Sequence, residues 1–181
     1  WTSWERAKEF NNALTTFARI AVSLGDVSPA TCLLHSCATY DAGGRGQLFF
    51  GESGAGKSTV GGLALAAGRG VLSDDLNSVD PGDAGEFRVQ GFPWSGDYGA
   101  RSWDDVRSYP LRAVFRLEQA DRHEILPLGP ARALAGLAAC SPFVNADSSL
   151  YGRLLANLER LLGNVPAYTL RFRKDPGLFE L

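Results

Sequence analysis

The hydrophobic positions at the start of the chain follow a helical period. Between Trp4 and Leu24 they recur at spacings of three and four residues, which places them on one face of an amphipathic helix. Gly25 is a natural C-terminal stop for such a helix. We therefore predict an N-terminal helix over residues 1–25 that packs on the rest of a single domain spanning residues 1–181.

Beyond this helix, short apolar segments alternate with longer segments of helical period. Strands are predicted at 31–40, 47–50, 71–73, 87–89, 113–117, 124–128 and 167–172. Helices are predicted at 57–67, 130–139 and 149–162. The stretch 81–109 is rich in Gly, Pro, Asp and Trp, which favours turns and a mobile loop suited to covering a substrate. The alternation of strands and helices predicts an α/β fold.

Composition and charge exclude several classes of protein. A hydrophobic share of 45% and a charged share of 21% are typical of a folded globular chain. A net charge of -2 gives no electrostatic reason to expect nucleic acid or a membrane surface as a partner. Cys32, Cys37 and Cys140 have no zinc-ligand spacing and are predicted to be buried thiols in a reducing cytoplasm. A homo-oligomer is compatible with this composition.

The segment 51–59 reads GESGAGKST and fits the phosphate-loop pattern G-x-x-x-x-G-K-[ST] between a predicted strand and a predicted helix. Its glycines allow the backbone N–H groups to face inward as an anion nest. Lys57 is expected at the β- and γ-phosphates, Ser58 on Mg²⁺ and Thr59 beside the α-phosphate. The predicted nucleotide-binding residues are Gly51, Ser53, Gly54, Ala55, Gly56, Lys57, Ser58 and Thr59. The sequence therefore predicts binding of ATP with Mg²⁺.

Two adjacent acids, Asp74 and Asp75, follow Lys57 by seventeen residues, at the end of the predicted strand 71–73. In a right-handed strand-helix-strand crossover this strand is parallel to the one before the phosphate loop, so the carboxylates emerge at the same edge. There one carboxylate can hold the metal or its waters while the other accepts a proton from an attacking hydroxyl. A solvated turn or a helix N-cap is the plainer alternative.

The phosphate loop followed so closely by Leu72-Ser73-Asp74-Asp75 resembles the HPr kinase and ATP-dependent phosphoenolpyruvate carboxykinase group. The segments 33–37 and 46–50 also resemble, respectively, the HPr kinase strand that carries an active-site His and the strand entering the loop. The resemblance implies a P-loop domain of this type, with a mixed central sheet flanked by helices. It implies catalytic roles for Asp75, His35 and Lys57 and a metal-associated role for Asp74 alongside Ser58, although the two aspartates could exchange roles.

The function implied by this resemblance is an ATP-dependent kinase that phosphorylates a Ser-type hydroxyl of a peptide or protein. Some small HPr kinase-like enzymes act on ribosomally made peptides, and tailoring of such a peptide is expected by analogy. The alternatives are a small-molecule kinase acting on a free amino acid and a non-catalytic nucleotide-sensing or peptide-binding module. Phosphorylase activity is not expected, because the glycine- and arginine-containing segment of bifunctional HPr kinases has no clear copy.

Two arginines are candidates for stabilising charge on the transferring phosphoryl group. Arg101 lies in the Gly- and Trp-rich stretch, and Arg112 directly precedes the predicted strand 113–117. A guanidinium suits this role because it is permanently charged and donates several hydrogen bonds. An ordinary surface arginine is the plainer interpretation of each.

Overall fold

The computed structural model describes residues 29–82, 85–93, 96–100, 104, 106–142 and 148–180. The predicted N-terminal helix and Arg101 lie outside these residues. The strands are β1 (Cys32–Tyr40), β2 (Gly46–Phe50), β3 (Gly70–Ser73), β4 (Leu76–Pro81), β5 (Phe87–Gly91), β6 (Ser108–Gln119), β7 (Glu124–Pro127) and β8 (Ala167–Phe172). The helices are α1 (Lys57–Ala66), α2 (Pro130–Ala139) and α3 (Ser148–Leu162), and a 3-10 helix follows at Pro176–Glu180.

The strands form one mixed sheet in the described part of the chain. Six of them lie in the order β3-β1-β2-β6-β8-β7, in which β6 is parallel to both β2 and β8 and the other pairs are antiparallel. The first parts of β1 and β6 also pair with a second, antiparallel group in the order β1-β4-β5-β6. The predicted α/β fold with a mixed sheet flanked by helices is confirmed.

Helices cover both faces of the sheet. Because side chains alternate across a strand, the neighbouring residues Phe49 and Phe50 of β2 enter different cores. Phe49 packs with Val60 of α1 in one apolar cluster, while Phe50 packs with Leu137 of α2 and Leu158 of α3 in the other. Full burial of one such phenylalanine side chain stabilises the fold by roughly 1.5–3 kcal/mol. This packing fixes α1, which begins at the phosphate loop, against the sheet.

The hairpin between β1 and β2 shows why the predicted turn forms at 41–44. The Asp41 carboxylate Oδ1 accepts hydrogen bonds from the backbone N–H groups of Gly43 and Arg45, at 2.9 and 3.0 Å. Gly44 has a φ of 70°, in the left-handed region that glycine adopts without strain. The turn therefore sets the register in which Ser36 pairs with Phe50 and brings the first half of β1 beside the phosphate loop.

Strand β4 is absent from the sequence-based predictions. Its Asn77 is fully buried although it is polar, whereas Ser78 is only half-buried. The usual contrast between apolar buried and polar exposed positions is therefore missing from this strand. The predicted strand 113–117 is also longer than expected, because its N-terminal extension pairs with β5 through Ser108, Tyr109 and Pro110.

Candidate active site

The phosphate loop leaves β2 and enters α1 as predicted. Gly54 and Gly56 have φ values of 82° and 105°, in the region that side chains other than glycine rarely adopt. A Cβ atom at Gly56 would also lie 2.7 Å from the ring of Phe172 in β8. Gly56 therefore meets both a conformational and a steric requirement, and the last strand supports the loop from behind.

Lys57 is the first residue of α1 and is 8% exposed. Its ammonium Nζ donates hydrogen bonds to the carbonyl oxygens of Gly51 and Glu52, at 3.0 and 3.1 Å. These two bonds tie the helix start to the start of the loop. The N-terminal end of α1 adds the positive end of its helix dipole at the same place.

Asp74 and Asp75 lie between β3 and β4, two strands that pair with neighbouring parts of β1. Strands β3 and β4 both run antiparallel to β1, pairing Ser73 with Ala38 and Leu76 with His35. Since β2 is also antiparallel to β1, β3 and β2 share a direction, as predicted. Asp74 and Asp75 therefore emerge at the edge that carries the phosphate loop.

A buried polar network holds the junction between β3 and β4 in place. Asn77 Nδ2 donates to the carbonyl and hydroxyl oxygens of Ser36, at 2.8 and 3.0 Å, and to the carbonyl oxygen of Ser73 at 3.3 Å. The Ser73 hydroxyl oxygen accepts from the backbone N–H groups of Asp75 and Leu76, both at 3.2 Å. Because these groups are buried, each bond also avoids the cost of an unsatisfied polar atom.

Replacing Asn77 by Asp is expected to lower the free energy of unfolding by roughly 3 kcal/mol or more, because a carboxylate oxygen in place of Nδ2 would face the carbonyl oxygens of Ser36 and Ser73, which cannot donate a hydrogen bond. Equilibrium unfolding in urea, followed by circular dichroism, measures the change. The matched control is Ser78→Ala in the same strand, where the side chain is only half-buried and an effect within about 0.5 kcal/mol is expected. Equal stability of Asn77→Asp and the parent chain would contradict this account of the network.

His35 lies beside the acidic pair. Its Nε2 is 3.3 Å from Asp75 Oδ1, and the two side chains are 49% and 30% exposed. It is the exposed position in a strand whose neighbours are buried, so it is not a core histidine. The backbone N–H of His35 donates to the carbonyl of Cys140 at 2.7 Å, which ties the end of α2 to the site.

Asp74 is 3% exposed and is engaged by another segment of the chain. Its Oδ1 accepts backbone N–H bonds from Asp97 and Tyr98, at 2.8 and 3.0 Å. Cβ atoms built on Gly61 and Gly62 of α1 would lie 3.1 and 3.2 Å from the Tyr98 side chain. This segment, residues 96–100, belongs to the stretch predicted as a lid, and we call it the clasp because it joins Asp74 to α1.

Two substitutions of Asp74 distinguish the hydrogen-bond acceptor function of its side chain from its negative charge. In Asp74→Ala the clasp loses both hydrogen bonds, so amide exchange at Asp97 and Tyr98 is expected to rise about tenfold or more. In Asp74→Asn an oxygen acceptor remains, and exchange is expected to stay within about threefold of the parent chain. Hydrogen–deuterium exchange with site resolution measures both. Equal exchange in the two variants would contradict the role of the carboxylate in holding the clasp.

These elements enclose a cavity of about 450 Å³, which we call the phosphate cleft. Of the predicted site residues, it is lined by His35, Ser53, Gly54, Gly56, Lys57, Ser58, Thr59, Asp74 and Asp75. Gly51 and Ala55 belong to the loop without lining this cleft. Residues distant in sequence therefore meet at one edge of the sheet.

Four residues that line the phosphate cleft were not predicted: Gly96 and Asp97 of the clasp, Gln119 and Lys174. Gln119 Nε2 donates to the carbonyl oxygen of Gly54 at 2.7 Å and so supports the loop. Gln119 ends β6 and Lys174 closely follows β8, and both strands run parallel to β2. The carboxyl ends of parallel strands meet at one edge, so this topology is the signal that would have identified them.

The structure does not bring Arg112 to the phosphate cleft. Its neighbour Leu111 pairs with Gly46, at the end of β2 opposite the phosphate loop, and Arg112 Nη2 is 3.2 Å from Glu86. The arginine of β6 at the loop edge is Arg116, which pairs with Phe50. Arg112 was predicted at the site although it lies at the other end of β6, because the sequence does not show which strand pairs with β6.

The donor set of the cleft fits a nucleotide with Mg²⁺. Ser58, Thr59 and the carboxylates of Asp74, Asp75 and Asp97 offer the hard oxygen atoms that Mg²⁺ prefers. Within the described residues, no group of three or more His, Cys, Asp or Glu side chains is arranged to hold a metal by itself.

The cysteines carry no sign of nucleophilic chemistry. Burial raises the pKa of the Cys32 thiol to about 12, with Asp80 as a second cause. Burial is also the main reason that the pKa of Cys37 and of Cys140 lies above the usual value. All three are free thiols, as predicted, although Cys140 is only partly buried. In the described part of the chain, no helix has both the length and the apolar character needed to cross a membrane.

Comparison with known proteins identifies the family. The sequence profile of a family described as "SynChlorMet cassette protein ScmC" matches residues 11–179. The chain belongs to the ScmC family. No curated protein matches this ScmC-family chain in sequence.

A solved structure similar to this ScmC-family chain is that of the HPr(Ser) kinase/phosphatase from Coxiella burnetii. The match has a TM-score of 0.38 and 11% sequence identity, and it covers 80% of this chain and 81% of that one. A likeness this distant leaves the function to be argued from the side chains at the site.

Proposed function

We propose that this ScmC-family chain is an ATP-dependent phosphotransferase of the HPr kinase-like type, which transfers the γ-phosphoryl group of ATP to a Ser-type hydroxyl of a peptide. One observation carries the proposal. The lysine of the phosphate loop and the His35–Asp75 pair line the same cavity. A phosphate-binding loop without the pair fits a nucleotide sensor equally well, whereas a carboxylate with an adjacent imidazole also provides for deprotonation of an acceptor.

Binding of the nucleotide would rest on the loop. Its backbone N–H groups, the Lys57 ammonium and the start of α1 supply the positive potential that phosphates require. Lys174 adds a second cation to the same cavity. Mg²⁺, held through Ser58 and the neighbouring carboxylates, would supply further neutralisation of phosphate charge.

Asp75 is the better candidate for the proton acceptor. Its side chain is 30% exposed, whereas Asp74 is 3% exposed and its Oδ1 already accepts two backbone hydrogen bonds. In the proposed step, the acceptor oxygen forms a bond to the γ-phosphorus and the bond from that phosphorus to the bridging oxygen of ADP breaks. The hydroxyl proton passes to Asp75, and His35 keeps the carboxylate oriented.

The test is incubation of the protein with γ-labelled ATP, Mg²⁺ and one of three acceptors: a Ser-containing peptide, the same peptide with Ala in place of Ser, or free serine. Label in the Ser peptide alone is the expected result, because only this acceptor combines a hydroxyl with a peptide backbone. Label in free serine alone would instead identify a small-molecule kinase. Nucleotide binding without transfer to peptides, serine or a wider acceptor panel would identify a non-catalytic module and overturn the proposal.

A further inference from the structure

A second cavity adjoins the phosphate cleft, and we call it the side cavity. It has a volume of about 690 Å³ and shares His35 and Ser53 with the cleft. Between these shared residues the two cavities meet, so a molecule in the side cavity can present one group to the His35–Asp75 pair. The side cavity is the larger of the two and is lined by the loop residues Gly51, Glu52 and Ser53, whereas Lys57 lines the cleft.

One wall of the side cavity is a face of α2. Arg132, Ala135, Gly136 and Ala139 lie at spacings of three, one and three residues, which places them on one side of the helix. A Cβ atom at Gly136 would be 2.8 Å from the ring of Phe50, so this glycine allows the helix to lie close to β2. The wall is therefore smooth and largely apolar, which suits the backbone and small side chains of a peptide.

The charges in the side cavity are unequal along its length. Arg132 lies in the first turn of α2, while Glu52 lines the cavity from the phosphate loop. Arg116 also lines it, and its Nη1 is 2.8 Å from Glu118 Oε1. Glu118 is shared with Arg171, whose Nε is 3.3 Å from Glu118 Oε2 and whose Nη1 is 3.3 Å from Glu124 Oε2, so Arg116 belongs to a network of alternating charges. Arg132, in the first turn of α2, therefore offers positive charge to an anion, and Glu52 disfavours an anion near the loop.

The length of α2 determines how far the carboxylate of a substrate must lie from its hydroxyl group. Cys140, whose carbonyl accepts the His35 backbone N–H, lies eight residues beyond Arg132 along the helix. At a rise of about 1.5 Å per residue, this separation is about 12 Å. The hydroxyl and carboxylate of one free amino acid are too close to span it. An extended peptide advances about 3.4 Å per residue, so three or four residues cover the distance.

We infer that, if the proposed phosphotransfer is correct, the side cavity binds an acceptor peptide whose hydroxyl residue lies at His35 and Asp75 and whose carboxylate, three or four residues away, lies at Arg132. Arg132 is then a specificity-determining residue for the acceptor. The proposal names a substrate class, hydroxyl peptides with a spaced acidic group, and it disfavours free amino acids.

The test uses synthetic peptides with one Ser, blocked ends and one Asp placed one, three or six residues from the Ser, beside a peptide without Asp. Initial rates with ATP and Mg²⁺ give kcat and KM, and fluorescence anisotropy with a non-hydrolysable ATP analogue gives the Kd of each labelled peptide. The peptide with a spacing of three is expected to have a KM and a Kd about tenfold lower than the peptide without Asp.

Arg132→Gln is expected to remove this tenfold preference, so that the peptide with a spacing of three and the peptide without Asp have the same KM and the same Kd in the variant. Arg132→Lys should restore part of it, because the charge returns without the planar donor pair. Arg122→Gln is the matched control, since Arg122 is 70% exposed and does not line the side cavity. Retention of the preference in Arg132→Gln would overturn the role of Arg132.

Failure of this inference and failure of the proposed function give different results. Phosphorylation and binding that ignore the Asp and its position would overturn the inference and leave the phosphotransfer intact. Binding that depends on Asp spacing and on Arg132, without transfer of label, would support the docking of the peptide and overturn the catalytic proposal. Absence of both binding and transfer for all peptides would overturn both.

Discussion

Replacing Asp75 by Asn is expected to reduce kcat for phosphoryl transfer by about 10²–10⁴-fold and to leave the Kd for ATP within about threefold of the parent value. The two side chains have nearly the same shape, so the contact with His35 is kept. The amide oxygen, however, cannot take up the proton that leaves the acceptor hydroxyl. Release of ADP in a coupled assay measures kcat, and isothermal titration calorimetry measures the Kd.

The control for Asp75→Asn is Arg112→Gln, because Arg112 is an exposed residue of the opposite strand end and full activity is expected. Asp74→Asn provides a second comparison, since it tests whether the two aspartates exchange roles. If Asp75→Asn turned over at the parent rate while Asp74→Asn did not, the assignment of the proton acceptor would pass to Asp74. Normal turnover in both variants would remove the acidic pair from the chemistry.

Replacing Lys57 by Met is expected to weaken ATP binding about a hundredfold, which corresponds to roughly 3 kcal/mol. The methionine keeps most of the aliphatic stem, so the change chiefly removes the buried ammonium group. That group donates to Gly51 and Glu52 and lines the phosphate cleft. Its loss removes both a cation for the phosphates and a tie that shapes the loop. Titration with a fluorescent ATP analogue measures the affinity.

Lys174→Met is the matched control for this experiment. Lys174 lines the same cleft but is exposed to solvent, where charge interactions are screened and a weakening of only about threefold is expected. Thermal unfolding of both variants without nucleotide shows whether the loop change alters the fold itself. Unchanged affinity in a folded Lys57→Met protein would contradict the assignment of 51–59 as the phosphate-binding loop.

Local pattern predicted most of the secondary structure and little of its arrangement. Phe87 and Val89 in β5 alternate with polar residues, a local pattern typical of a strand, and the strand 87–89 was predicted. Asn77 shows the limit, because it is buried by hydrogen bonds to Ser36, which is 41 residues away in the chain. A partner this distant leaves no periodic signal in the sequence of β4 itself. The order of the strands depends on many pairings of the same long-range kind.

The residues of the candidate site also fall into a group that local sequence identifies and a group that only strand pairing brings to the site. Gly54, Gly56 and Lys57 belong to one contiguous motif whose physical requirements are local, and they were identified from the sequence. Gln119 and Lys174 reach the phosphate cleft only through parallel pairing of β6 with β2 and β8. Without that pairing they are ordinary polar residues at the ends of strands.

The contact between Gly56 and Phe172 has a consequence for the order of events during synthesis. The loop is translated early, yet the aromatic ring behind it belongs to the eighth strand, which leaves the ribosome more than a hundred residues later. A nascent chain that still lacks β8 has no Phe172 ring beside Gly56 of the phosphate loop. Capture of nucleotide by this loop is therefore expected only after β8 has emerged and docked.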